Sequence, residues 1–125
     1  MLVIPTELRS SPIHGIGVFL LFPVKKGDLV WRFDTRIDRV YSEFEVETFP
    51  THLQQYLKTY TCKHKGVGLY MLCGDNMRFC NHSDTPNLLS SPRGGFGDDV
   101  AKLDLDAGTE LTVDYRVISD DKDMI

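Results

Sequence analysis

Ten glycines and six prolines punctuate a chain of 125 residues and leave few long uninterrupted stretches. Glycine opens backbone conformations used in tight turns, and proline breaks helices and central strands. A chain cut this often is expected to fold as short strands joined by turns. Val18–Phe22 reads as a strand, Lys26-Gly27-Asp28 as a turn and Leu29–Phe33 as the next strand, with Ile37–Tyr41 a candidate third. Leu69–Cys73 is an apolar run between glycines and reads as another strand. Val100–Leu105 alternates Ala101, Leu103 and Leu105 against Val100, Lys102 and Asp104, the pattern of a half-buried strand. After the turn at Asp106–Thr109, Glu110–Tyr115 reads as the last strand, with Leu111, Val113 and Tyr115 on one face and Thr112 and Asp114 on the other.

One region carries a helical period. Between Phe44 and Tyr60, the residues Phe49, Leu53, Tyr56, Leu57 and Tyr60 recur every three or four positions, and Thr51 is placed to cap a helix starting near Pro50 or His52. Asp75 could cap a short helical turn carrying Met77–Cys80, and Arg93–Gly97 is a glycine-rich hairpin or loop. The reading is one mostly-β domain over residues 1–125 with one principal helix.

Charge narrows the partners. The net charge is −4, but Asp98–Ile125 holds nine acids against three bases, so the remainder is slightly basic. A nucleic-acid-binding domain wants a basic footprint, so direct nucleic-acid binding is disfavoured and a cationic partner such as a lysine-rich peptide is favoured. No apolar run approaches the ~20 residues of a membrane span, and Met1–Pro5, followed by Glu7, is too short for a secretory leader. A cytosolic or nuclear compartment is the expectation, with a host-cell nucleus or secretion as an effector left open. The cysteines Cys62, Cys73 and Cys80 are odd in number and form no CxxC pair, which argues for reduced, buried thiols rather than a disulfide framework. Cys62-Lys63-His64 and Cys80-Asn81-His82 form two CxH pairs, but that spacing is tighter than the usual zinc hooks, and no metal site is assigned.

Three segments carry chemistry. In His14-Gly15-Ile16-Gly17, two glycines before a strand let a ligand approach the backbone closely; a third glycine and a following helix, which a dinucleotide loop needs, are missing. Arg78-Phe79-Cys80-Asn81-His82-Ser83-Asp84-Thr85-Pro86-Asn87 concentrates amide, imidazole and hydroxyl groups beside an apolar run. Glu110-Leu111-Thr112-Val113-Asp114-Tyr115 ends on a tyrosine able to set its hydroxyl in a pocket. Taken singly, each also reads as a turn, a satisfied polar loop or a core aromatic.

In this order the three segments resemble the SET domain of protein lysine methyltransferases. Pro23–Asp28 and Asp106-Ala107-Gly108 agree with the same pattern, and the likeness runs from about residue 9 to residue 116, leaving a short acidic tail, 117–125. The resemblance implies small β-sheets packed around a C-terminal pseudoknot, in which the last strand passes beside Asn81-His82. It implies S-adenosylmethionine as cofactor, held near His14, Gly15, Ile16 and Gly17 with Asn81 and His82, and with Arg78 and Phe79 lining the same cleft. Tyr115 matches the family's active-site tyrosine, and a substrate lysine would enter a channel bordered by Tyr115 and Phe33. The position near Phe33 often holds tyrosine in the family, and phenylalanine there would remove one hydroxyl from the channel and permit more than one methyl transfer. The implied reaction moves a methyl group to a lysine of a protein, a histone being one candidate. The alternative is a SET-like module that binds a peptide or the cofactor without turnover.

The sequence departs from many relatives after the Asn-His-Ser triplet. Asp84 occupies the position of a cysteine that joins a zinc-binding extension, and no cysteine follows Tyr115. The channel must then be closed by the segment after Tyr115, by a second subunit as in some short stand-alone viral and bacterial members, or by the substrate.

Overall fold

The computed structural model describes residues 1–61, 63–91 and 96–119. Cys62, most of the expected loop Arg93–Gly97, and the end of the acidic tail lie outside the described residues. Among the described residues, nine short strands form four small sheets. β1 (Thr6–Ser10) and β2 (Ile16–Leu20) make an antiparallel hairpin. β3 (Leu29–Arg32), β8 (Asp98–Ala101) and β7 (Leu88–Ser91) form an antiparallel sheet with β8 in the middle. β4 (Arg39–Tyr41) pairs with β5 (Tyr70–Leu72), and β6 (Asn81–His82) runs parallel to β9 (Thr112–Val113). No helix among the described residues is long and apolar enough to cross a membrane.

The core explains the strand pattern. Val18, Leu20, Val30, Leu88, Ala101 and Leu111 are almost wholly buried. β2 is buried continuously from Gly17 to Leu20 rather than alternately. One face meets the core; across the other, the Arg9 guanidinium lies 4.3 Å from the Phe19 ring centre and Glu110 bridges back to Phe19. A strand covered on both faces reads as an apolar run.

The helix expected from near Pro50 is present, and a second, shorter one precedes it. α1 (Glu43–Thr48) opens on a capping box in which the Glu45 N–H donates to Ser42 Oγ and the Ser42 N–H donates to Glu45 Oε1. It stops because Phe49 precedes proline and is extended, at φ −79° and ψ 155°. α2 (Thr51–Tyr60) then starts with Pro50 at its N-cap, so Thr51 lies inside the helix and caps nothing. Of the expected stripe only Leu57 is fully buried, whereas Leu53 and Tyr56 face solvent.

Other boundaries move for local reasons. The third strand is confined to Arg39–Tyr41, because Ile37 and Asp38 both donate back to the Asp34 carbonyl in a turn. The expected strand over Val100–Leu105 ends at Ala101; Leu103 is exposed, and the chain rejoins the fold where Leu105 and Val24 exchange two 2.9 Å backbone hydrogen bonds. The last strand is cut to Thr112–Val113, and Tyr115 opens a short helix, α3 (Tyr115–Ile118), capped by Asp114. The expected two-faced alternation fails here, since Leu111, Thr112 and Val113 are all buried. This segment lies between β6 on one side and the Asn87 side chain on the other, which donates to the Glu110 carbonyl at 2.8 Å and accepts from the Thr112 N–H at 2.9 Å. Asp75 does cap the 3-10 turn at Asn76–Phe79, through the Met77 N–H.

Candidate active site

Two hollows meet at Tyr115. The first is an open cleft of about 600 Å³, lined by Ile13, His14, Gly15 and Ile16 from the loop before β2. Arg78, Phe79, Asn81 and His82 line it from the 3-10 turn and β6. The second is a cavity of about 100 Å³, bordered by Trp31, Met71, Met77, Asp99, Val113 and Ile118. Thr59, Tyr60, Arg78, Cys80 and Tyr115 border both.

The glycine loop is held from below. Asn81 is only 8% exposed. Its Nδ2 lies 3.0 Å from the His14 carbonyl, 3.2 Å from the Ile16 carbonyl, 3.1 Å from Ser11 Oγ and 2.9 Å from Glu110 Oε2. Two carbonyls and a carboxylate accept only, so this end of the amide must be the donor. Ser11 Oγ lies 2.8 Å from both Glu110 oxygens. Gly17 packs against the same carboxylate: a Cβ there would stand 2.3 Å from Glu110 Oε2. Gly15 has φ +47°, a left-handed conformation that favours glycine, and its carbonyl accepts from the Ser11 N–H at 2.8 Å. Seven of the eight residues expected around a cofactor thus border one cleft. The eighth, Gly17, is buried behind it, its small size making room for Glu110.

Tyr115 is fixed at both ends. Its N–H donates to His82 Nδ1 at 3.1 Å, and its Oη donates to the Cys80 carbonyl at 2.5 Å. The acceptor role of Nδ1 puts the imidazole proton on Nε2, which faces Asp84 Oδ1 at 2.9 Å. Asp84 also meets Arg116 Nη2 at 2.9 Å. Arg116 in turn holds Asp114, and that hydrogen bond keeps the Asp114 pKa below the usual carboxylate range. A surface network of side chains therefore ties the segment after Tyr115 to the Asn-His-Ser loop.

Arg78 is engaged, with Nε donating to the Cys73 carbonyl at 3.0 Å and Nη1 to Tyr56 Oη at 2.6 Å. The Phe79 ring meets Tyr60 edge-on at 5.5 Å. Phe33 borders neither hollow; it packs 4.6 Å from Phe96, and Phe96 supplies the cavity wall. Burial pushes the Cys80 thiol up and holds the His64 pKa down at about 4. Cys80 Sγ contacts the Leu111 carbonyl, 3.4 Å away, whereas His82 is committed to Tyr115 and Asp84. Among the described residues, no group of three or more His, Cys, Asp or Glu is arranged to hold a metal. Beyond Tyr115, Ile118 borders the cavity, the Lys65 N–H donates to the Ile118 carbonyl at 3.0 Å, and Ser119 bridges to His64. The described start of the tail is thus one wall of the cavity.

Sequence reasoning assigned no role to Ser11 or Glu110. Glu110 opens the Glu-Leu-Thr segment and was legible there; Ser11 carries no signal without the fold.

A hairpin-held glycine loop, a short parallel pair at Asn81-His82 and a tyrosine entering between them are the features of one fold family. The SET domain matches residues 15–116, and the chain belongs to that family. Among curated proteins, none matches this chain by sequence. Among solved structures, a candidate histone methyltransferase of Plasmodium falciparum shares 19% identity, with a TM-score of 0.61 over 90% of this chain and 93% of that one. A humanized mutant of the Chaetomium thermophilum Polycomb Repressive Complex 2, bound to the inhibitor GSK126, shares 17% identity, with a TM-score of 0.69 over 94% of this chain. This chain spans only 16% of that one. At these identities the likeness is one of fold.

Proposed function

We propose that the protein transfers a methyl group from S-adenosylmethionine to the side-chain amine of a lysine in a basic protein segment. The observation that carries this reading is the meeting of two hollows at Tyr115 and Cys80. A two-substrate transfer needs the donor and the acceptor to arrive from separate sides at one point, and their alignment supplies much of the rate.

The residues of the cleft fit such a cofactor. Its size suits a nucleoside-sized ligand, Phe79 and Tyr60 offer aromatic surface, and the backbone from His14 to Ile16 is pinned by Asn81 so that its polar groups keep fixed positions. When bound there, S-adenosylmethionine supplies an electrophilic methyl group on a sulfonium. His82 and Asn81 act through position: one sets the Tyr115 backbone, the other the glycine loop. Tyr115 Oη and the Cys80 carbonyl put two oxygens at the junction, suited to orienting an amine and to weak C–H···O contacts with a methyl group. Lysine is a cation with a pKa of about 10.4 and must lose a proton to attack; Met71, Met77 and Val113 give the cavity an apolar lining that favours the neutral amine.

The test is transfer of labelled methyl from S-adenosylmethionine to a lysine-rich histone peptide, beside the same peptide with every lysine replaced by arginine. Label on the lysine peptide alone supports the reading. No label on either, with the cofactor bound, contradicts it and favours a binding module without turnover.

A further inference from the structure

We propose that Asp99 is the counter-ion of the cavity beside Tyr115, a buried carboxylate that receives an alkylamine side chain as its cation, ahead of the proton loss that methyl attack requires, and selects for it. The identity of the guest as a substrate lysine rests on the methyl-transfer reading above. The cation site itself rests on the cavity walls.

Asp99 sits on β8 at an inward position, alternating with Ala101, and is 9% exposed. Inward strand positions in a small domain are normally apolar, and an unpaired buried polar group costs about 1–3 kcal/mol. Here the carboxylate stands opposite Trp31 on β3, and both border the same cavity. Trp31 Nε1 is buried and has no hydrogen-bond partner among the described residues. Asp99 is the acceptor this wall offers an ammonium, whereas the Trp31 N–H, itself a donor, makes no hydrogen bond to such a guest. Ser90, paired with Asp99 across β7, supplies one side-chain hydrogen bond. A carboxylate offers about four acceptor positions, which leaves room for an ammonium.

The rest of the wall sets the guest's shape. Met71, Met77 and Val113 suit a methylene stem, and about 100 Å³ approaches the size of a cavity that takes one benzene ring. Asp99 is the anion of this wall. The thiols of Cys73 and Cys80 are held protonated by burial, and His64 is neutral above about pH 4. Arg78 spends its guanidinium on the Cys73 carbonyl and Tyr56. Tyr60 and Tyr115 border the same space, while neighbouring Asp98 raises the Asp99 pKa and the Met1 ammonium lowers it. Burial outweighs the rest and holds Asp99 at about 6. The counter-ion is therefore present above that pH, and cation uptake is lost as pH falls through it.

The direct test uses n-butylammonium alone, with no methyl donor, and n-butanol as its neutral counterpart, followed by NMR at the Trp31 indole and at Tyr115. The expected result is saturable binding of the ammonium at pH 7.5, at least tenfold tighter than the alcohol, weakening with a midpoint near pH 6. Asp99→Asn should lose the preference and Asp99→Glu should keep part of it. Equal affinity for ammonium and alcohol in the wild-type protein overturns the proposal without recourse to a variant, as does an unchanged preference in Asp99→Asn. In the transfer assay, Asp99→Asn should raise KM for the lysine peptide at least tenfold and change kcat less. If wild type transfers methyl and the variant keeps its KM, the counter-ion is wrong and the enzyme reading stands. If wild type transfers nothing but binds butylammonium through Asp99, the reverse holds.

Discussion

On the cleft side of Tyr115, four acceptors converge on one amide, Asn81 Nδ2, and one carboxylate, Glu110, binds the hairpin to the last strand. On the cavity side no such knot is found among the described residues. Trp31, Met71, Met77, Val113 and Ile118 come from separate segments of the chain and make a wall chiefly by packing. The cleft is therefore a wall of few, directional contacts, whose geometry rests on single atoms. The cavity is a wall of many weak contacts, whose shape belongs to the whole core.

Mutations should separate the two. Leu111 is fully buried in the core and borders neither hollow, its N–H donating to the Val18 carbonyl at 2.8 Å. Leu111→Ala should cost about 3–4 kcal/mol in denaturant unfolding while the remaining folded protein keeps its cofactor affinity. A cost below about 1 kcal/mol would mean the core does not transmit through this residue.

His64 probes the cavity wall through pH. Its folded pKa of about 4 lies below the unfolded value, so its contribution is complete above about pH 6.5 and is lost as pH falls from there towards 4. The loss amounts to about 3 kcal/mol at most. His64→Gln should flatten the stability profile across that window; parallel profiles for the two proteins would show that the imidazole is not held neutral.

On the cleft side, Asn81→Ala strands the His14 and Ile16 carbonyls and the Glu110 carboxylate. It should cost about 2 kcal/mol of stability and, unlike Leu111→Ala, weaken S-adenosylmethionine binding at least tenfold by calorimetry. Cofactor affinity within twofold of wild type would dissolve the distinction between the walls.

The smallest effect is expected at Gly17. Gly17→Ala forces its Cβ onto Glu110 Oε2, 2.3 Å away as the fold stands, at a cost of about 1 kcal/mol because a side chain can yield where backbone cannot. In Glu110→Ala the same change should cost nothing more, and full additivity in that double-mutant cycle would mean the two do not touch.

The same contrast explains what the sequence made legible. The cleft residues His14, Gly15, Ile16, Arg78, Asn81 and His82 sit in short polar motifs, and a local motif survives in one dimension. Their job was less visible: Asn81 and His82 turn out to bond the protein's own backbone. The cavity was nearly invisible, because Trp31, Met71 and Asp99 lie far apart in the chain and meet only through the β3–β8 pairing and the packed core. β1 and β7 escaped notice because their residues are largely exposed and carry no apolar alternation. The helix from near Pro50 was legible in its apolar period, whereas α1 was not, because Val46 is the one residue it buries. Leu103 and Tyr115 were assigned to strands by alternation, and both lost that role where the pairing partner ran out.

The central claim is that the donor and the acceptor meet at Tyr115. The most direct test compares kcat for methyl transfer at saturating S-adenosylmethionine and lysine peptide in wild type and Tyr115→Phe, with the cofactor Kd measured on both. Loss of the hydroxyl should lower kcat by about a hundredfold, ~2.7 kcal/mol of barrier, while the Kd stays within threefold. Full turnover in Tyr115→Phe, with cofactor and peptide both bound, would contradict the account.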